Sequence, residues 1–193
     1  NDLMSLYNTF NNDAIKLTNS LIINKKYDVN DKYLNDIDEF ALVEHENFND
    51  KSYITKKVNK YISKNTNGMI KDIMKENMIS ELAILILINT VHFKSNWKKK
   101  FSKEDTYETN FNNTIKIDMM TQIDRFDYYE TDKLQIVELP YKGNSYCMGI
   151  ILPKNKTNEM IQLDQNIFNN LIKNLSSSKI DLHLPKFTQR KKT

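Results

Sequence analysis

The sequence predicts an α+β fold built on mostly antiparallel sheets, and three stretches carry that expectation. Residues 82–97, LAILILINTVHFKSNW, form a nearly continuous apolar run that holds one amide, Asn89, and ends in a basic turn with the only Trp, Trp97. Residues 51–64 repeat apolar side chains every three or four positions, as a helix with one buried face does. From residue 106 onward, short alternating segments separated by polar turns read as a series of strands.

Taken in order, residues 15–24 alternate and then run apolar, as a strand does. Residues 31–40 read as a short helix ending near Phe40, and residues 41–48 as a brief strand. Asp50 is placed to cap the helix over 51–64, because its carboxylate can accept a free N–H of the first turn. The apolar face of that helix is Ile54, Val58, Tyr61 and Ile62. It stops in NTNG, where Gly68 can take the left-handed conformation and reverse the chain. Residues 69–74, MIKDIM, read as a second short helical turn leading into the long apolar run.

That run is too short to cross a bilayer as a helix, which takes about 20 apolar residues. It is rich in Ile, Leu and Val and has no polar side, so it reads as a strand covered on both faces. An amide in such a strand needs a partner, since leaving it unpaired costs about 1–3 kcal/mol. Asn89 is therefore either a residue that locks the sheet or part of a moving joint.

Beyond Trp97, residues 106–111 and 115–120 flank Asn112 and Asn113, a hairpin signal. Strands follow over 125–130, 134–141 and 146–152, joined by the turns TDK and KGNS. Residues 159–175 have helical periodicity, SSSK reads as a break, and 179–187 alternate with Ile180, Leu182 and Leu184 on one face. No repeat or low-complexity linker divides the chain, which predicts a single domain over residues 1–193.

The bulk properties exclude several function classes. Hydrophobic residues make up 39% and charged residues 27% of 193 positions, which suits a soluble globular protein. A net charge of +3 is mild and points to no nucleic-acid partner. The single Cys147 excludes an internal disulfide, and its place between Tyr146 and Met148 predicts a buried, inert thiol. His45, His92 and His183 form no pair at metal-ligand spacing, and three glycines cannot build a phosphate loop or a nucleophile elbow. The expectation is no cofactor, no metal and no enzyme. Neither a signal peptide nor a membrane segment is visible, and the missing initiator Met predicts a longer amino-terminal region. The abundance of Asn weakens the N-x-S/T triplets at Asn112, Asn155 and Asn174.

Two basic clusters remain. Lys94, Lys98, Lys99 and Lys100 surround Trp97, while Lys186, Arg190, Lys191 and Lys192 lie at the end of the chain. One reading is solvated charge on a Lys-rich surface; the other is a patch for a sulfated polysaccharide or an acidic protein.

Five ordered motifs resemble those of the serpins, the serine protease inhibitor fold. ILINTVHFKSNWKKKF is similar to the family strand V-N-A-x-Y-F-K-G continuing to W-x-x-x-F, matched by Asn89, Phe93, Lys94, Trp97 and Phe101. Upstream, NTNGMIKDI resembles T-N-G-K-I-x-D-L; downstream, VELPYK resembles L-E-L-P-Y, MGIILP resembles M-x-I-I-L-P, and LHLPKF resembles L-P-K-F. Thr90 and His92 replace the usual small residue and aromatic, and Ser95 stands where Gly is common. The matches cover residues 14–187, roughly the middle half of a serpin, without its first helices or its reactive-centre loop.

The resemblance implies parts of sheets A, B and C with helices packed on them. It also implies a mechanism in which a protease cuts a bait loop, forms an acyl-enzyme, and is carried along as the loop inserts into the central sheet. In that picture residues 82–93 are the strand beside which the loop enters, Asn89 belongs to the shutter and Trp97 to the breach. The helix over 51–64 lies across the sheet and has to shift, and the bait bond is outside this chain. The implied partner is a protease of the serine or cysteine class, with a companion carboxy-terminal segment completing the sheets. The expected location is outside the cell, with the cytoplasm as the alternative, and the basic patch would take a glycosaminoglycan. The alternative is a serpin-like binding or carrier module, or a truncated remnant, without inhibition. Residues 1–193 alone are expected to expose sheet edges and half a core.

Overall fold

The computed structural model describes residues 5, 7–9, 11–111, 115–154 and 163–189. The chain divides into two compact units, Asn1–Lys94 and Ser95–Thr193.

In the first unit, strand β1 (Ile15–Asn24) is followed by helix α1 (Asp31–Ile37), strand β2 (Leu42–Glu46), helix α2 (Lys51–Asn65), a 3-10 turn (Glu76–Met78) and strand β3 (Leu85–Phe93). The sheet order is β2-β1-β3. β1 runs parallel to β2 and antiparallel to β3, with Asn19 directly opposite Asn89. The expected cap starts α2, since the Asp50 carboxylate accepts the Tyr53 N–H at 2.9 Å. Ile54, Val58 and Ile62 of α2 join Ile22, Ile88, Phe48 and Ile79 in one core. Each such side chain contributes about 1.5–3 kcal/mol when fully buried. Both Asn67 (φ 49°) and Gly68 (φ 73°) are left-handed in the turn that ends the helix.

Two expectations for this unit are corrected. Residues 69–74 are not helical: the Asn59 side chain accepts the N–H groups of Ile73 and Met74 and donates to the Met74 carbonyl. A side chain thus satisfies amides that a helical turn would have paired internally, and the only helical turn among the described residues there is Glu76–Met78. Strand β3, in turn, is not covered on both faces among the described residues. Ile88, Thr90 and His92 are buried, whereas Leu87 is 67% and Val91 60% exposed. Burial alternates because one layer, α2, sits on this sheet and hides every second side chain.

The second unit is antiparallel throughout. Strands β4 (Thr106–Phe111), β5 (Ile115–Glu130), β6 (Leu134–Pro140) and β7 (Cys147–Pro153) follow one another, then helix α3 (Gln165–Lys173) and strand β8 (Ser176–Pro185). The order is β4-β5-β6-β7, and β8 pairs with β5. Residues 115–120 and 125–130, read as two strands, belong to one continuous β5. The link stays extended because β8 supplies partners, Thr121 opposite His183 through Asp124 opposite Ile180. SSSK opens β8 instead of breaking the chain, with Ser176 facing Tyr128 and Ser178 facing Phe126. Ladder pairing here overrides the turn preference of serine.

Phe111 opposite Ile115 fits the expected hairpin, whose Asn112 and Asn113 lie outside the described residues. α3 starts after Asp164, which accepts the Ile167 N–H at 2.7 Å. Residues 159–162 of the expected helix are outside the described residues, as is Asn155. Cys147 is exposed on β7 and not buried. Partial desolvation, and then the Glu138 and Asp127 carboxylates, push its thiol up, which keeps it protonated.

Candidate functional site

Asn89 gains its partner through strand register. Its Nδ2 donates to Oδ1 of Asn19 at 2.6 Å, and Nδ2 of Asn19 donates to the Phe40 carbonyl at 3.0 Å. From α2, the Tyr61 hydroxyl donates to the backbone carbonyl of Asn19 at 2.9 Å. Asn19 therefore ties together β3, the chain after α1, and α2. Sequence reading missed it, although an amide amid the apolar residues of 15–24 was the available signal. One row along, the hydroxyls of Thr18 and Thr90 meet at 2.6 Å.

Asn89 is exposed, so it is not the buried amide expected. Loss of its hydrogen bond leaves groups that water can reach, and Asn89→Ala is expected to cost about 0.5–1.5 kcal/mol in place of the buried-group penalty. Thermal unfolding against wild type measures this, and an Asn19→Ala, Asn89→Ala double variant should add less than the two singles together.

A second tie holds α2 to the sheet edge. Glu44 and Glu46, two residues apart on β2, share one face, and Lys57 of α2 reaches both at 2.7 and 2.6 Å. The Tyr53 hydroxyl donates to Glu46 at 3.2 Å. The Lys57 hydrogen bond, and further its charge, hold the Glu46 carboxyl below its usual range. A depressed carboxyl value stabilises the fold above the unfolded-state value, and that contribution disappears as pH falls through the folded-state value.

Trp97 organises the second unit. Its ring stacks on Tyr141 with centroids 4.6 Å apart and planes 9° apart, and meets Phe101 edge-on at 6.4 Å. Trp97 and Tyr141 form an antiparallel bridge, flanked by bonds from Lys98 N–H to the Pro140 carbonyl and from Lys142 N–H to the Asn96 carbonyl. Three of the sequence motifs converge here, because Trp97 and Phe101 pack on a core containing Leu139, Leu182 and Leu184.

The lysines divide. Lys99 is committed to Asp124 at 2.6 Å, to the Arg125 carbonyl at 2.9 Å and to the Phe126 ring at 5.3 Å. Lys98 and Lys100 alternate with it and are exposed, and Lys94, in the first unit, is exposed as well. Lys186 is exposed, while Arg190, Lys191 and Lys192 lie outside the described residues. Among the described residues there is no cluster of three metal-ligating side chains, and no helix is long and apolar enough to cross a membrane.

Comparison with known proteins gives a consistent result. The family model for serpin (serine protease inhibitor) matches residues 1–193. An uncharacterized serpin-like protein of Acanthamoeba polyphaga mimivirus is 37% identical, over 99% of this chain and 50% of its own length. Human Serpin B3 is 34% identical, over 90% of this chain and 48% of its own length. The crystal structure of cleaved kallistatin complexed with heparin superposes with a TM-score of 0.84 at 27% identity, over 95% of this chain and 58% of that one. The chain thus spans about half the length of the curated relatives it matches.

Proposed function

Because the chain belongs to the serpin family, we propose that it is part of a suicide inhibitor that traps a serine protease by loop insertion. The observation that carries this reading is that β3 of the β2-β1-β3 sheet pairs with β1 on one side and has no partner strand on the other among the described residues. An edge strand presents unpaired backbone groups to which an extended segment can add. Cleavage of the bait bond elsewhere in the protein releases the loop, and its addition beside β3 releases stored strain. The Asn89–Asn19 pair serves as the shutter and Trp97 stands at the breach.

The two units belong to one partial serpin domain over residues 1–193. The exposed row Leu85, Leu87, Val91 and Phe93 is the face open to cover by a companion chain or a further segment. Incubating the whole protein with a panel of serine and cysteine proteases is expected to give an adduct that survives SDS. If every protease in the panel cleaves the protein without an adduct, the inhibitory reading is lost and the carrier reading replaces it.

The kallistatin neighbour is complexed with heparin, and in the second unit of this chain the exposed Lys98 and Lys100, with Lys99 acting as a strut between them, offer a polyanion patch; Lys94, in the first unit, is not part of it. Heparin chromatography tests it. Retention should weaken in Lys98→Ala, Lys100→Ala, and elution of the wild type at low salt would dispose of the patch.

A further inference from the structure

α2 is held by charge at two places, a peripheral pair between Lys51 and the largely exposed Glu81 at 3.4 Å and the less exposed Lys57 tie to β2. Ile54, Val58 and Ile62 bind the helix by apolar contact, and Tyr61 by a neutral hydrogen bond to β1. Near the first half of the helix, Lys57 alone joins α2 to β2 by charge, between Glu44 and Glu46. Tyr53, one turn earlier, bonds Glu46 and lies with its ring 5.8 Å from the Lys57 ammonium. The three charged side chains are between 17% and 31% exposed, so they are open to ions while being held in place. β2 is also the edge strand opposite β3, which puts the charged tie at one side of the sheet and the proposed insertion edge at the other.

We propose that Lys57, Glu44 and Glu46 form an electrostatic latch that sets how readily α2 lifts from the sheet, so that dissolved ions tune this motion. The inference extends the inhibitory reading, in which α2 has to move, but its test uses no protease. A failed adduct assay therefore leaves it standing, and failure of the latch leaves the inhibitory reading standing.

Hydrogen exchange of the protein, read by mass spectrometry over α2 and β2, provides the test at low salt and at about 1 M salt, where the screening length falls to about 3 Å. Wild-type α2 amides are expected to exchange about fivefold faster in the high salt, in line with a charge network at the upper end of surface pairs. Lys57→Met should exchange fast in both conditions, and adding Glu46→Gln to it should change nothing further. Lys57→Arg should restore slow exchange and its salt dependence. If Lys57→Met fails to fold, Glu44→Gln combined with Glu46→Gln carries the same expectation. Wild-type exchange in α2 that ignores salt, or a salt effect of undiminished size in the variants lacking the Lys57 or the Glu44 and Glu46 charges, overturns the latch.

Discussion

Trp97→Ala is expected to destabilise the second unit by about 2–4 kcal/mol, below the range for a fully buried Trp because the ring is partly exposed. The loss has two sources. The indole fills space among Phe101, Leu139, Leu182 and Leu184, and its stack on Tyr141 contributes about 0.5–1.5 kcal/mol beyond area alone. Urea unfolding followed by circular dichroism measures the change, with Trp97→Phe expected to recover part of it because a smaller ring can still stack. Since Trp97 is the only Trp, Tyr141→Ala offers an independent reading. Removing the stacked ring should admit water and move the emission to longer wavelength. A loss below about 0.5 kcal/mol for Trp97→Ala would place the residue among ordinary surface substitutions and end its role as the wedge of this unit.

Local pattern made some of this architecture legible. The spacing of Ile54, Val58 and Ile62 marked the buried face of α2, and Asp50 marked its start, because both signals lie within a few residues of one another. The motif around Trp97 and the one around Pro140 were each visible, but their contact was not. Asn19 lies 70 residues from Asn89, and nothing in either segment names the other until β1 and β3 are in register. The same holds for Lys57 between Glu44 and Glu46, since strand period puts the two carboxylates on one face and only the packing of α2 on β2 brings the ammonium to them. The misread stretches have a common cause. Residues 69–74 and SSSK follow long-range partners, the Asn59 side chain and β5, against their own local preference. The run of residues 82–97 reads as doubly covered because it is rich in Ile, Leu and Val and has no polar side. Composition records what a strand can tolerate, and burial of its second face depends on a layer that the described residues do not supply.

Ile54→Ala is expected to cost the first unit about 3 kcal/mol. Ile54 is 0% exposed and sits among Ile22, Phe48, Val58, Ile62, Ile79 and Ile88, so truncation opens a cavity where sheet, helix and connecting segments meet. Lys60→Ala, on the exposed side of the same helix, should stay within about 0.5 kcal/mol. Urea unfolding of the two variants separates loss of packing from loss of helix propensity, because both substitutions introduce the same residue into one helix. The consequence for motion follows from the same core. α2 opens against its apolar contacts, the Tyr61 bond and the Lys57 tie, and Ile54→Ala weakens the first of these while leaving the charges intact. Exchange of α2 amides should therefore accelerate in Ile54→Ala and keep its dependence on salt, the reverse of the pattern expected for Lys57→Met. If both variants show the same salt response, packing and charge do not act as separate restraints on the helix. If Ile54→Ala costs less than about 1 kcal/mol, the apolar core is not what holds α2 on its sheet.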